Sequence, residues 1–285
     1  GCDTTFSFDL ANPHLWSSED PYLYQLVIEV YNQNECLEIV PVNVGIREFV
    51  MRDGIMQLNG KRIVFRGVNR HEFSCDNGRV ISHEEMLYDI RFMKQHNINA
   101  VRTSHYPNVN EWYDLCDQYG IYLIDETNME SHGSWQKLGQ LEPSWNIPGN
   151  LKEWQECVLA RAKSMLERDK NHPSVLIYSC GNESYAGEDI VNMANYFRAT
   201  DPTRLVHYEG CTWNRDYSEA TDMESRMYAK AKDIEDYLQN APKKPYISCE
   251  YMHAMGNSLG GMEKYIELED QYEKYQGGFI WDYID

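Results

Sequence analysis

Two carboxylates stand where strand-forming runs end. Glu183 lies in CGNES (180–184), just after VLIYSC (175–180), and Glu250 lies in SCEYMHAMGNS (248–258), just after PYIS (245–248). Paired carboxyl groups at neighbouring strand ends are the minimal apparatus for cleaving a glycosidic bond. Taken alone, either Glu reads more simply as a carboxylate paired with an Arg at a barrel rim, so the pairing carries the chemistry. A second grouping is Glu130-Ser131-His132. In extended backbone, residues i and i+2 project to one side, which lets a carboxylate and an imidazole share one cation. On its own, such a Glu-x-His reads as a surface pair.

The elements that must hold these residues alternate from about residue 55 onward. Strand-like runs occur at 62–69, 100–106, 121–128, 175–180, 205–210, 225–228, 245–250 and 278–283, which makes eight. Amphipathic segments lie between them. Ser82 and Glu85 form a capping box, and Met86, Ile90 and Met93 recur on one face, so the spacing predicts a helix over 82–97. Trp112, Leu115, Cys116 and Tyr119 repeat the helical period, as do Trp154, Val158 and Met165. Eight strands in βα alternation predict an α/β fold, a (β/α)8 TIM barrel whose active site lies at the C-terminal strand ends. Residues 211–222 show no full helix, and a doubly wound sheet fits the pattern as well. Residues 1–50 differ: FSFDL, YLYQLVIEVY and LEIVPVNVGIREF read as antiparallel strands with no helical period. The division expected is therefore a partial β-sandwich segment at 1–50 and a barrel at 51–285, with the sequence ending near strand eight.

Composition narrows the partners. The chain has 26 Lys and Arg against 45 Asp and Glu, a formal net charge of −19. Such a surface repels phosphate backbones and anionic membranes, so neither nucleic acid nor membrane is an expected partner. The start, GCDTTFSFDL, lacks a basic region followed by an apolar run. The eight Cys show no metal-like spacing, which predicts reduced thiols in a cytoplasmic protein.

The runs RGVNRHE (66–72), SHYPN (104–108), DETNMESHG (125–133), CGNES and CEYMHAMGNSLGG (249–261) resemble the large bacterial β-galactosidases of glycoside hydrolase family 2. The resemblance implies a retaining hydrolase acting on terminal β-galactosides, with Glu183 as general acid and base and Glu250 as nucleophile. It implies Mg²⁺ held by Glu130, His132 and Glu183. Imidazole suits Mn²⁺ better than Mg²⁺, so Mn²⁺ should substitute. Asn182 would meet the sugar 2-hydroxyl, Tyr228 would support the nucleophile, and Arg102 would hold its charge. His71, His105 and His253 fall at sugar-contact positions and Trp281 at an aromatic wall. The first residues become the latter part of an immunoglobulin-like domain. The full-length protein is expected to be a homo-oligomer, and this portion alone weakly active or inactive. The same scaffold serves β-glucuronidases and β-mannosidases, and a sugar-binding fragment without turnover is a further alternative. In a retaining pair the carboxyls stand about 5 Å apart. At an effective dielectric of roughly 20 their repulsion is about 3 kcal/mol, enough to keep Glu183 protonated while Glu250 is ionised.

Overall fold

The computed structural model describes residues 4–135, 146–256 and 258–284. Its first ordered pair is an antiparallel ribbon, β1 (Tyr24–Asn32) with β2 (Glu35–Val44). A small three-stranded sheet follows: β3 (Phe49–Arg52), β4 (Ile55–Leu58) and β5 (Lys61–Arg62). Residues 6–10, expected as a strand, run without regular structure and expose Phe6 and Phe8. Their alternation of apolar and polar side chains finds no neighbouring strand among the described residues.

Beyond residue 64 the chain alternates strand and helix: β6 (Phe65–Arg70), α1 (His83–Gln95), β7 (Ala100–Arg102), α2 (Asn110–Tyr119) and β8 (Tyr122–Glu126). A single turn, α3 (His132–Trp135), precedes α4 (Lys152–Asp169), β9 (Val175–Ser179), α5 (Glu188–Thr200) and β10 (Leu205–His207). Two short 3-10 turns, Gly210–Thr212 and Arg215–Ala220, stand where no full helix was expected. Then come β11 (Glu224–Met227), α6 (Ala231–Gln239), β12 (Tyr246–Tyr251), α7 (Glu263–Gln271) and β13 (Tyr275–Tyr283).

Strands β6 to β13 pair in parallel in the order β10-β9-β8-β7-β6-β13-β12-β11. The two ends of that order meet at Asp222. Its N–H donates to the Val206 carbonyl at 2.8 Å, and its carboxylate accepts from the Val206 N–H at 2.7 Å. The sheet therefore closes into the (β/α)8 TIM barrel, and the doubly wound alternative falls. α1 begins at the expected capping box, with the Ser82 hydroxyl accepting from the Glu85 N–H and the Glu85 carboxylate from the Ser82 N–H. Such a cap stabilises a helix by about 1 kcal/mol.

Two apolar layers hold the barrel. Between strands and outer helices lie Met86, Ile90, Met93, Trp112, Met165, Ile190 and Phe197, all buried. Inside its lower end are Phe65, Ile124, Ile177, Ile247 and Phe279, closed from below by Trp16, Phe49, Met56 and Leu58. Trp16 is wholly buried and donates its indole N–H to the Asp117 carbonyl. The Ser18 hydroxyl donates to the Gly120 carbonyl, and the Lys94 ammonium reaches the Ser18 carbonyl at 2.7 Å. Gly120 ends α2 at φ +73°, where a Cβ would stand 2.5 Å from that same Ser18 carbonyl. No helix among the described residues is long and apolar enough to cross a membrane.

Candidate active site

The upper strand ends converge on one buried cation. Arg102, the last residue of β7, is completely buried and spends its guanidinium on four side chains. Nε and Nη2 donate to the two Glu126 oxygens at 2.7 and 3.0 Å, and Nη1 donates to Asn69 Oδ1 at 2.9 Å. Nη1 also donates to Glu250 Oε1 at 2.7 Å, and Nη2 to Asn182 Oδ1 at 2.8 Å. A planar fork fits this task where an ammonium would not. Burial would lower the Arg102 pKa, but the charges of Glu126 and Glu250 outweigh it and raise it. Burial likewise works to raise the pKa of Glu126, yet Arg102 and the His105 ring bring it down to about 2.

Glu250 lies in β12, and its second oxygen, Oε2, accepts from the Tyr228 hydroxyl at 2.7 Å. A register shift between Arg226 and Met227, opposite Glu250, turns the chain there, and Tyr228 takes φ +52° with its N–H on the Glu250 carbonyl. That local irregularity aims the phenol at the carboxylate, as bulges beside active sites commonly do. His105 donates its Nδ1–H to Glu126 at 2.8 Å, with Nε2 3.9 Å from Glu250. Its ring stacks on Trp281 with centroids 5.2 Å apart and planes 8° from parallel, and His71 packs edge-on to both. His253 sits at the exposed rim, edge-on to Tyr228 at 5.6 Å. Every expected sugar-contact residue thus belongs to one connected set, with His253 outermost.

Glu183 is held differently. Gly181 has φ +131°, and a Cβ there would lie 2.5 Å from the Met129 carbonyl, so only glycine lets the chain turn that close. The next three backbone N–H groups are each taken: Asn182 by the Met129 carbonyl at 2.8 Å, Glu183 by the Glu209 carboxyl at 2.6 Å, and Ser184 by the Tyr208 hydroxyl at 3.0 Å. Glu183 itself takes φ +39°, rare for a residue with a side chain. Its carboxyl lies 2.9 Å from His132 Nδ1. Burial is the first cause raising its pKa; His132 opposes, and the charges of Glu250 and Glu130 add to the rise. Desolvation, rather than the repulsion from Glu250 expected of a close carboxyl pair, is thus the leading cause.

For a divalent cation, the donor types at Glu130, His132 and Glu183 are two carboxylates and an imidazole. The 2.9 Å between His132 and Glu183 is close to the spacing of adjacent ligands on an octahedral ion with bonds of about 2.1 Å. Glu130 forms a parallel bridge with Asn182. It does not bring an oxygen within 4.8 Å of both other ligand atoms, a spacing that Asp114, Asp117 and His172 reach elsewhere among the described residues. The donor types fit a divalent cation.

Sequence reasoning missed Glu126, Glu209 and Asn69. Glu126 and Glu209 lie near the ends of the strand-like runs 121–128 and 205–210, and strand-end carboxylates were the available signal. Asn69, wholly buried, gives its amide N–H groups to the Cys249 and Phe279 carbonyls and its oxygen to Arg102. Its one mark in the sequence is its place in the run RGVNRHE.

Residues 49–285 match the family model described as glycosyl hydrolases family 2, TIM barrel domain, and residues 1–47 match a second model, glycosyl hydrolases family 2. The chain is 67% identical to a β-galactosidase of Halalkalibacterium halodurans over 99% of its own length and 28% of that protein. It is 66% identical to a β-galactosidase of Clostridium acetobutylicum over 99% of itself and 32% of the relative. With the β-galactosidase large subunit of Leuconostoc lactis it shares 54% identity over 95% of itself and 44% of the relative. The chain therefore spans less than half the length of each of these relatives. Among solved structures, β-glucuronidases of Dictyoglomus thermophilum (23% identity, TM-score 0.80) and Ruminococcus gnavus (22%, 0.82) cover 95% and 96% of it, and 53% of each of those chains is covered in turn. At such identity they speak to the fold.

Proposed function

The chain belongs to glycosyl hydrolase family 2, and on that footing we propose that it carries the catalytic centre of a retaining β-galactosidase, which cleaves terminal β-D-galactosides such as lactose. One observation carries the reading: both oxygens of Glu250 are engaged, one by Arg102 and one by Tyr228, so the carboxylate is held in one orientation. In the first step a Glu250 oxygen attacks the anomeric carbon while the bond to the leaving oxygen breaks, and Glu183 gives that oxygen its proton. The glycosyl ester carries no carboxylate charge. Glu183, now ionised, takes a proton from water as the water oxygen attacks the same carbon and Glu250 departs as carboxylate. Two inversions return the β-configuration.

Asn182 directs its amide oxygen at Arg102, which turns its N–H groups to the task of meeting the 2-hydroxyl. His71, His105 and Trp281 form the wall for the apolar sugar face, with His253 at the rim. Identities of 52–67% to β-galactosidases support the galactoside over the glucuronide or mannoside. Comparing the nitrophenyl β-galactoside, β-glucuronide and β-mannoside with the full-length protein tests this. Preference for either of the other two overturns the reading.

Glu130, His132 and Glu183 would hold Mg²⁺, with Mn²⁺ as substitute. A bound divalent cation supplies positive charge beside the Glu183 carboxyl and favours its ionised form. Chelation should reduce turnover while leaving the melting temperature nearly unchanged, and Mg²⁺ or Mn²⁺ should restore it. Unchanged rates after verified metal removal would refute the assignment. A cytoplasmic setting is supported by seven cysteines, all free among the described residues, and the charge of −19 favours a neutral sugar over a polyanion. Homo-oligomeric assembly rests on the family resemblance, and sedimentation of the full-length protein tests it.

A further inference from the structure

Tyr208 and Glu209 follow β10 and reach across to the turn that carries Glu183. The Tyr208 hydroxyl accepts from the Ser184 N–H at 3.0 Å and donates to the Ser184 carbonyl. Glu209 Oε1 accepts from the Glu183 N–H at 2.6 Å. Glu209 is 3% exposed. A carboxyl is costly to bury, and a backbone N–H is an ordinary partner that a smaller neutral side chain could also satisfy. What singles out this contact is its place. It grips the peptide of the one residue whose carboxyl must reach the leaving oxygen, at a backbone angle of φ +39° that an L-residue leaves unless it is held.

We propose that Glu209 is the positioning residue of the acid/base half-reaction, its buried carboxyl fixing the left-handed turn at Glu183 and through it the direction of the Glu183 carboxyl. This rests on the galactosidase reading above. Glu250 is oriented by Arg102 and Tyr228, and neither bonds to Glu209. Disturbing Glu209 should therefore impair proton donation while leaving nucleophilic attack largely intact.

The test uses the full-length protein and two substrates that differ only in leaving group, lactose and a dinitrophenyl β-galactoside. Glu209→Met keeps the length and removes the acceptor; Glu209→Gln restores an acceptor oxygen. For Glu209→Met, kcat/KM should fall about a hundredfold on lactose, the effect of misplacing a reacting group by about 1 Å, and only a few-fold on the aryl substrate. Azide should accelerate its deglycosylation and yield β-galactosyl azide. Glu209→Gln should recover most of the lactose activity. Equal losses on both substrates, without azide rescue, would mean a general structural role and overturn the proposal. Should Glu209→Met fail to fold, Glu209→Asp, one methylene short, replaces it under the same criterion. A parent protein inactive on both galactosides would instead overturn the galactosidase reading, and this inference with it.

Discussion

The two carboxylates of the site are held by opposite means. Glu250 sits within a buried strand, 6% exposed at its side chain, and is oriented by side chains from β7 and the turn after β11. Glu183 sits on a turn, 26% exposed, and is oriented through its backbone, by Gly181, Met129, Tyr208 and Glu209. A nucleophile must be a fixed charge, which rigid hydrogen-bond donors provide. An acid that later becomes a base must accommodate two protonation states, and here the backbone is anchored while the carboxyl meets the His132 ring.

That contrast can be broken most sharply at Glu250. Glu250→Gln should lower kcat/KM by about 10⁴-fold or more whatever the leaving group, because no covalent intermediate can form. Near-normal turnover would remove the nucleophile assignment. Glu183→Gln should cost about 10²- to 10⁴-fold on lactose and much less on a dinitrophenyl β-galactoside, with azide restoring deglycosylation. No dependence on leaving group would merge the two halves into one. Tyr228→Phe removes one charge-assisted bond worth about 1.5–3 kcal/mol, so a roughly ten- to hundredfold loss is expected on both substrates alike. A loss confined to lactose would move Tyr228 to the acid side.

The last effect concerns pH. Glu126 has a folded pKa near 2, below its unfolded value of about 4.3. Its contribution, about 3 kcal/mol, is present above pH 4.3 and is lost as pH falls toward 2. Acid titration of unfolding free energy should show that slope, and Glu126→Gln should flatten it. A variant with the parent's slope would contradict this account of Glu126.

Most of the eight strands were legible as apolar runs bounded by polar residues, β11 with its Glu-Ser-Arg-Met being the exception, and α1 because its cap is written in Ser82 and Glu85. The strand expected at 6–10 failed because alternation states which faces differ and says nothing of whether a partner strand exists. Arg102, Asn182, Tyr228 and the three histidines were assigned through motif resemblance, and the structure gathers them around Glu250. The grip on Glu183 was not legible: it passes through N–H groups, which every residue has, to side chains 24 to 26 positions away. The cause of the raised Glu183 pKa was misjudged for a similar reason, since burial is a property of the assembled barrel.

Trp16 and Ser18 lie before the point where the two family models divide, yet they seal the lower end of the barrel. Severing the chain near residue 48 would take away the indole from the core, the hydroxyl from Gly120 and the acceptor from Lys94 at one stroke. Inheritance and cooperativity therefore draw different borders here. The segment matched by a separate family model is expected to melt with the barrel, because its Trp16 forms part of the barrel floor.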